Sequence, residues 1–211
     1  MTKNSGKDNI TQLLDSDESK LSITLRFELG RSIDKHVDSQ QRSTLSSDDS
    51  RVLWKQMASA LAFLHENSVT HDDVKPDNIM WDGEHRHAVL IDFGAALDYA
   101  EQPMKPFNAS GTPPYVPPEF LQRHKCDAGD VWALGIVMLF ALGHITLPDG
   151  NWLLPAVFED GAARQELLAW LEMLENLRKS LSGGEILLAQ MLDANPTTRI
   201  SSSELTRQLG Q

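Results

Sequence analysis

One cysteine, Cys126, is the only thiol in a chain of 211 residues. An internal disulfide and a multi-thiolate zinc site are both excluded, and the scarcity fits an intracellular setting, cytoplasmic or nuclear, with Cys126 as a buried apolar thiol. Basic charge is also in short supply: 19 Lys and Arg stand against 30 Asp and Glu, a formal net charge of -11. That is the wrong sign for gripping a phosphodiester backbone, so nucleic acid is not expected as a partner. Long apolar runs are lacking too. The most apolar stretch, Val131 to Leu142, is twelve residues, well short of the roughly 20 that cross a bilayer, and Met1 to Ile10 holds no apolar signal-peptide core. No membrane partner is expected. What is present in quantity is core material, 41% hydrophobic residues, enough for one ordinary domain.

Residues 1–20 are mostly Asp, Ser, Lys, Asn and Thr and read as a mobile tail or one marginal helix, with the folded domain running over 21–211. Leu21, Ile23, Leu25 and Phe27 alternate with polar residues, the period of a half-buried strand that ends at Gly30. Ser47 is placed to cap a helix whose apolar face is Leu53, Met57, Ala60, Leu61 and Leu64. Ile79 to Trp81 and Ala88 to Ile91, separated by Asp82-Gly83, predict a small hairpin, and the proline-rich stretch from Pro103 to Pro118 predicts an extended loop. Helices follow over Asp130 to Leu142, buried on all sides, Ala162 to Lys179 and Glu185 to Leu192. A last one starts at Ser201, with Glu204 in capping-box position. Trp132, Trp170 and Leu174 fall on apolar helix faces and are expected in the core. His85 and His87 lie in the hairpin turn and are not expected to bind metal.

The chemistry concentrates in His71-Asp72-Asp73-Val74-Lys75-Pro76-Asp77-Asn78, followed by Ile91-Asp92-Phe93-Gly94. Phosphoryl transfer needs an acceptor for a hydroxyl proton, a cation for the migrating group and oxygen ligands for magnesium. Asp73 can take the proton, Lys75 can neutralise phosphate charge, and Asn78 with Asp92 can hold the metal.

These two segments resemble the catalytic loop H-R-D-L-K-P-x-N and the metal loop D-F-G of the eukaryotic protein kinase family. Three further segments match in order: Gly111-Thr112-Pro113-Pro114-Tyr115 through Pro117-Pro118-Glu119, then Asp130-Val131-Trp132-Ala133-Leu134-Gly135, then Asn195-Pro196-Thr197-Thr198-Arg199. The resemblance implies a mainly α fold with small β elements, the C-terminal lobe of a protein kinase. It implies ATP and magnesium as cofactors and a protein substrate phosphorylated on serine or threonine, the latter marked by Lys75. Thr112 would contact the catalytic Asp73 and Lys75, while Glu119 would pair with Arg199 and Asp130 would anchor loops. Arg26 to Ser32 resembles the hinge strand, with Phe27 as gatekeeper, the backbone of Glu28 and Leu29 facing adenine and Met80 beneath it.

Two departures bear on activity. No glycine-rich loop or V-A-I-K lysine stands before the hinge, so the chain resembles a large lobe without its small one, weak alone and open to completion by a partner chain. Asp72 stands where the family usually carries arginine, and an aspartate repels a phosphorylated loop instead of receiving it. A pseudokinase-like binding protein and a small-molecule phosphotransferase of the aminoglycoside kinase type are the alternative readings, the second disfavoured by the Gly111 to Tyr115 and Asp130 to Gly135 segments.

Overall fold

Ser46, one residue before the expected cap, opens the first helix by accepting a hydrogen bond from Asp49 N at 3.1 Å, with Asp48 and Asp49 in the positively polarised first turn. In the computed structural model, which describes residues 6–100, 107–150 and 154–210, this helix is α1, Ser47–Glu66. Its apolar face packs on α2, Ala128–Ala141, whose residues from Asp130 to Ala141 are all buried. An all-round apolar helix needs cover on every side. α4, Ile186–Met191, comes close enough that a Cβ on Gly135 would lie 3.0 Å from the Leu192 side chain. α3, Ala162–Ser180, is amphipathic and buries Leu167 and Leu174 completely. Trp170 on this helix is half-buried, its indole N–H donating to Pro114 O at 2.8 Å. α5, Ser202–Leu209, packs along α1 and begins with half a capping box: Ser201 accepts from Glu204 N, but the Glu204 carboxylate turns to Arg207 and Gln208.

The strands are short. β1, Leu13–Asp17, pairs antiparallel with β2, Ser22–Leu25. β3, Arg31–Ser32, joins a three-stranded sheet whose other members, after β4, Val69–Thr70, are β5, Ile79–Asp82, and β6, His87–Leu90. β4 pairs with β7, Leu97–Asp98. The expected hairpin is β5–β6, and His85 in its turn is held by Asp82 at 2.6 Å. No group of three or more His, Cys, Asp or Glu side chains able to hold a metal ion occurs among the described residues. The fold is mainly α with small β elements, and among the described residues no helix is long and apolar enough to cross a membrane.

Three expectations need correction. Residues 6–20 are not a loose tail: the Asn9 side chain is fully buried and donates to Ala88 O at 2.8 Å and Gln56 Oε1 at 3.1 Å. Ile10 bridges Leu90, and Gly6, at φ +64°, sits so close to α1 that a Cβ would lie 2.0 Å from Ser59 O. A polar side chain is buried here because it satisfies backbone that β6 leaves open. Secondly, the alternating strand is present but not half-buried. Leu21, Ile23 and Phe27 are 94%, 66% and 85% exposed, because only β1 pairs with β2 and nothing described covers the ribbon's apolar face. Thirdly, Cys126 is half-buried, and burial still holds its thiol above the usual range.

The distant pair expected between Glu119 and Arg199 is formed. Arg199 donates to both carboxylate oxygens, Nη1 to Oε1 at 2.7 Å and Nη2 to Oε2 at 2.9 Å, and both side chains are buried. Nη1 also donates to Ala128 O and Nε to Asp193 O, and Cζ lies 5.1 Å from the centroid of the Trp132 ring. The pair thus ties the loop before α2 to the segment before α5. Arg199→Ala should lower the unfolding free energy by about 3 to 5 kcal/mol in urea melts, since it strands a buried carboxylate. A loss under about 1 kcal/mol would show the pair to be solvated and dispensable.

Candidate active site

The loop between β4 and β5 is shaped by one buried carboxylate. Asp130, in the first turn of α2, accepts from His71 N at 2.8 Å, Asp72 N at 2.9 Å and His65 Nε2 at 3.0 Å. This helps hold Asp72 at φ +65°, in the left-handed region that Asp tolerates better than most residues. His71 is buried, stacks edge-on against Phe93 and has Nε2 3.0 Å from Ile91 O. A carbonyl partner requires that nitrogen to carry the proton, which leaves Nδ1 to accept from Asp73 N at 3.4 Å. Pro76–Asn78 then forms a tight 3-10 turn that returns the chain into β5.

Four of the expected residues meet in one cluster. Asp73 Oδ1 accepts from the Thr112 hydroxyl at 2.7 Å. Asp73 Oδ2 is 2.8 Å from Lys75 Nζ and accepts from Asn78 Nδ2 at 3.1 Å. Lys75 Nζ also donates to Thr112 Oγ1 at 2.9 Å, and Asn78 Nδ2 to Asp73 O at 2.9 Å. The carboxylate is therefore oriented from three sides while its side chain keeps 17% of its surface open to solvent. It is held by these partners and still reachable from solvent.

Asp92 has no hydrogen bond to this cluster among the described residues. It is exposed, at φ +63°, with Oδ1 accepting from Gly94 N at 3.1 Å. Ile91 N donates to Asn78 O at 2.9 Å, which places the neighbouring Asp92 and Asn78 at one end of the β5–β6 hairpin. Both N–H donations of Asn78 go to Asp73, and its amide oxygen accepts no hydrogen bond among the described residues. That oxygen and the Asp92 carboxylate suit magnesium, which prefers hard oxygen ligands. At the hinge, half-buried Met80 pairs with Ser32 and Trp81 with Arg31, while Gly30 lies against the Trp81–Asp82 peptide. Glu28 is pinned by Arg26 at 3.0 Å, and no backbone hydrogen bond joins Glu28 or Leu29 to another described residue.

Asp72 has a partner that sequence reading missed, Lys125, fifty-three residues away, at 2.5 Å. No local pattern points to it. His65 is equally hidden: its place on α1 looks like ordinary helix surface until α2 and α5 supply Asp130 and Ser202. Asp130→Ala should cost about 1 to 3 kcal/mol for each of the two backbone amides it orphans. Thermal or urea unfolding would read the loss, and an unchanged midpoint would mean that water replaces the carboxylate at no cost.

A family model of the protein kinase domain matches residues 1–209. The CBL-interacting serine/threonine-protein kinase 15 of Arabidopsis thaliana is 32% identical over 168 residues, covering 77% of this chain and 37% of that protein. The CBL-interacting protein kinase 22 of Oryza sativa subsp. japonica is 32% identical over 211 aligned positions, 95% of this chain and 44% of that protein. The maternal embryonic leucine zipper kinase of Xenopus tropicalis is 28% identical over 196 residues, 89% and 27% respectively. The chain thus spans less than half the length of these curated relatives. Its catalytic-loop cluster and buried Glu119–Arg199 pair agree with the sequence match, and the chain belongs to the protein kinase family.

Proposed function

We propose that this chain carries out ATP- and magnesium-dependent phosphoryl transfer to serine or threonine hydroxyls of a protein substrate. The observation that carries this reading is the cluster of Asp73, Lys75, Asn78 and Thr112, in which one partly open carboxylate is held by three donors. Asp73 orients the incoming hydroxyl and takes its proton on the carboxylate. Lys75 lies on the same carboxylate and on Thr112, so its ammonium is fixed where negative charge must be balanced. Thr112, donating to Asp73 and accepting from Lys75, keeps the substrate loop in register with both. Asn78 and Asp92 would hold magnesium, and the backbone of Glu28 and Leu29 with Met80 would flank the base. Bound ATP and magnesium supply the transferable phosphoryl group and the screening of its charge.

Catalysis of this type is almost wholly positioning, and a misplacement of ~1 Å can cost on the order of 100-fold. The uncovered apolar ribbon of β1 and β2 argues that full activity needs a further sheet laid over it, from a partner chain or from a longer form of the same polypeptide. The chain as it stands is expected to turn over far below the roughly 1 to 100 per second usual for kinases. Fusing the small lobe of a CBL-interacting relative ahead of Gly6 should raise that rate, and Asp73→Asn should abolish it in both forms. Radiolabelled phosphate transfer to a generic protein substrate checks both; turnover in the ordinary range by the unfused chain, lost in Asp73→Asn, would refute the need for cover. Magnesium and ATP together should raise the thermal midpoint, because both bind the folded state. Asp92→Ala should erase the magnesium dependence; if it does not, Asp92 is no metal ligand.

The same exposed ribbon favours a second reading, a kinase relative that serves as a binding protein through this face. Nucleotide binding without transfer, in the presence of the fused lobe, would select it.

A further inference from the structure

Asp72 and Lys125 form an ion pair that the reaction chemistry does not use. The Asp72 carboxylate is 11% exposed and the Lys125 side chain 10%, with Oδ2 and Nζ 2.5 Å apart. Ser110 Oγ also donates to Asp72 Oδ2 at 2.7 Å. Lys125 Nζ in turn reaches Ser110 Oγ at 2.6 Å, Ser110 O at 3.0 Å and Asn108 Oδ1 at 3.0 Å, and it lies just under 6 Å from the Phe107 and Phe120 rings. An ammonium with three N–H donors is thus surrounded by more acceptors than it can serve at once. The segment 108–110 is its main customer.

Two residues later the same segment makes its second anchorage, Thr112 to Asp73 and Lys75. Between the anchors Gly111 adopts φ +114°, with Asp72 O and Val116 close to where a Cβ would stand. Two attachment points so closely spaced on one strap admit a single register of the substrate loop against the catalytic loop. Both attachments lead back to α2: Lys125 stands just before its cap, Asp127, and Asp130 in its first turn grips the Asp72 backbone.

We propose that Lys125 is a positioning residue that, through its ion pair with Asp72, fixes the 108–112 substrate loop against the catalytic loop in the unmodified chain. A built-in cation and carboxylate hold the strap with no covalent addition to the loop. Burial pushes the Asp72 carboxyl above the usual carboxylate range even with Lys125 beside it. Ionised Asp72 therefore gives stability away as pH rises from its unfolded value, which fits a pair kept for geometry better than one kept for stability.

The inference rests on the phosphoryl-transfer reading for its kinetic consequence but not for its structural one, so the experiment reads both. Amide hydrogen exchange is followed by mass spectrometry on the full chain, with Lys125→Met and Asp72→Asn, singly and together, and with Lys125→Arg as the conservative replacement. Lys125→Met should speed exchange across 107–112 by about tenfold or more while α2 keeps its protection, the signature of local opening. The double variant should be no worse than either single one, and Lys125→Arg should restore protection. Where transfer is measurable, Lys125→Met should raise KM for the protein substrate and leave ATP affinity unchanged. Unchanged exchange at 107–112 overturns the proposal, as does equal loss of protection in α2, which marks a merely structural role. If the lobe-fused chain transfers no phosphate but the local opening and its rescue are seen, the positional role stands and the activity reading falls. Should Lys125→Met fail to fold, the near-isosteric Asp72→Asn decides by the same exchange readout.

Discussion

The carboxylate of Asp130 is the point on which the rest of the site hangs. It is buried in the first turn of α2, where the helix dipole favours an anion. Three donors converge on it: two consecutive backbone amides of the catalytic loop and the imidazole of His65. A buried charge survives only when such partners replace its water. In return the amides of His71 and Asp72 are held at one end of the most deeply buried helix in the protein, and Asp73 follows directly from them. The position of Asp73 is thus set by a core element, through the two backbone amides that precede it.

Around that point the protein uses charge pairs for different ends. Glu119 and Arg199 are buried, bidentate and remote from the reactive cluster, and they close the loop ahead of α2 onto the segment before α5. Asp73 and Lys75 are left partly open. Asp72 and Lys125 lie between these cases, nearly buried and next in sequence to Asp73. Of these three pairs Glu119–Arg199 keeps the least solvent and Asp73–Lys75 the most.

The β1–β2 ribbon departs from this economy. Its alternating Leu, Ile and Phe residues have the pattern of a sheet face that belongs against other apolar surface, and here that face meets solvent. The segment with Glu28 and Leu29 grows out of the same exposed ribbon, whereas Asp73, Lys75, Asn78 and Thr112 are held together by their own hydrogen bonds.

Local rules were legible in the sequence wherever they act over a few residues. Helical periodicity and serine caps located α1 and α5 to within a residue or two, the Asp82-Gly83 turn announced the β5–β6 hairpin, and the apolar run through Val131 to Leu142 foretold a fully covered helix. Motif resemblance also brought Asp73, Lys75, Asn78 and Thr112 to one place, and paired Glu119 with Arg199. Only the tertiary structure decided the rest. Period two marks a strand with an apolar face but not whether anything lies on that face, so Leu21 to Phe27 read as half-buried and are exposed. Asn9 reads as tail because a buried asparagine is explained only by the carbonyl it satisfies, and that carbonyl belongs to Ala88. Lys125 reads as any surface lysine, since Coulombic partners are chosen by distance in space, and its distance to Asp72 exists only once α2 has folded.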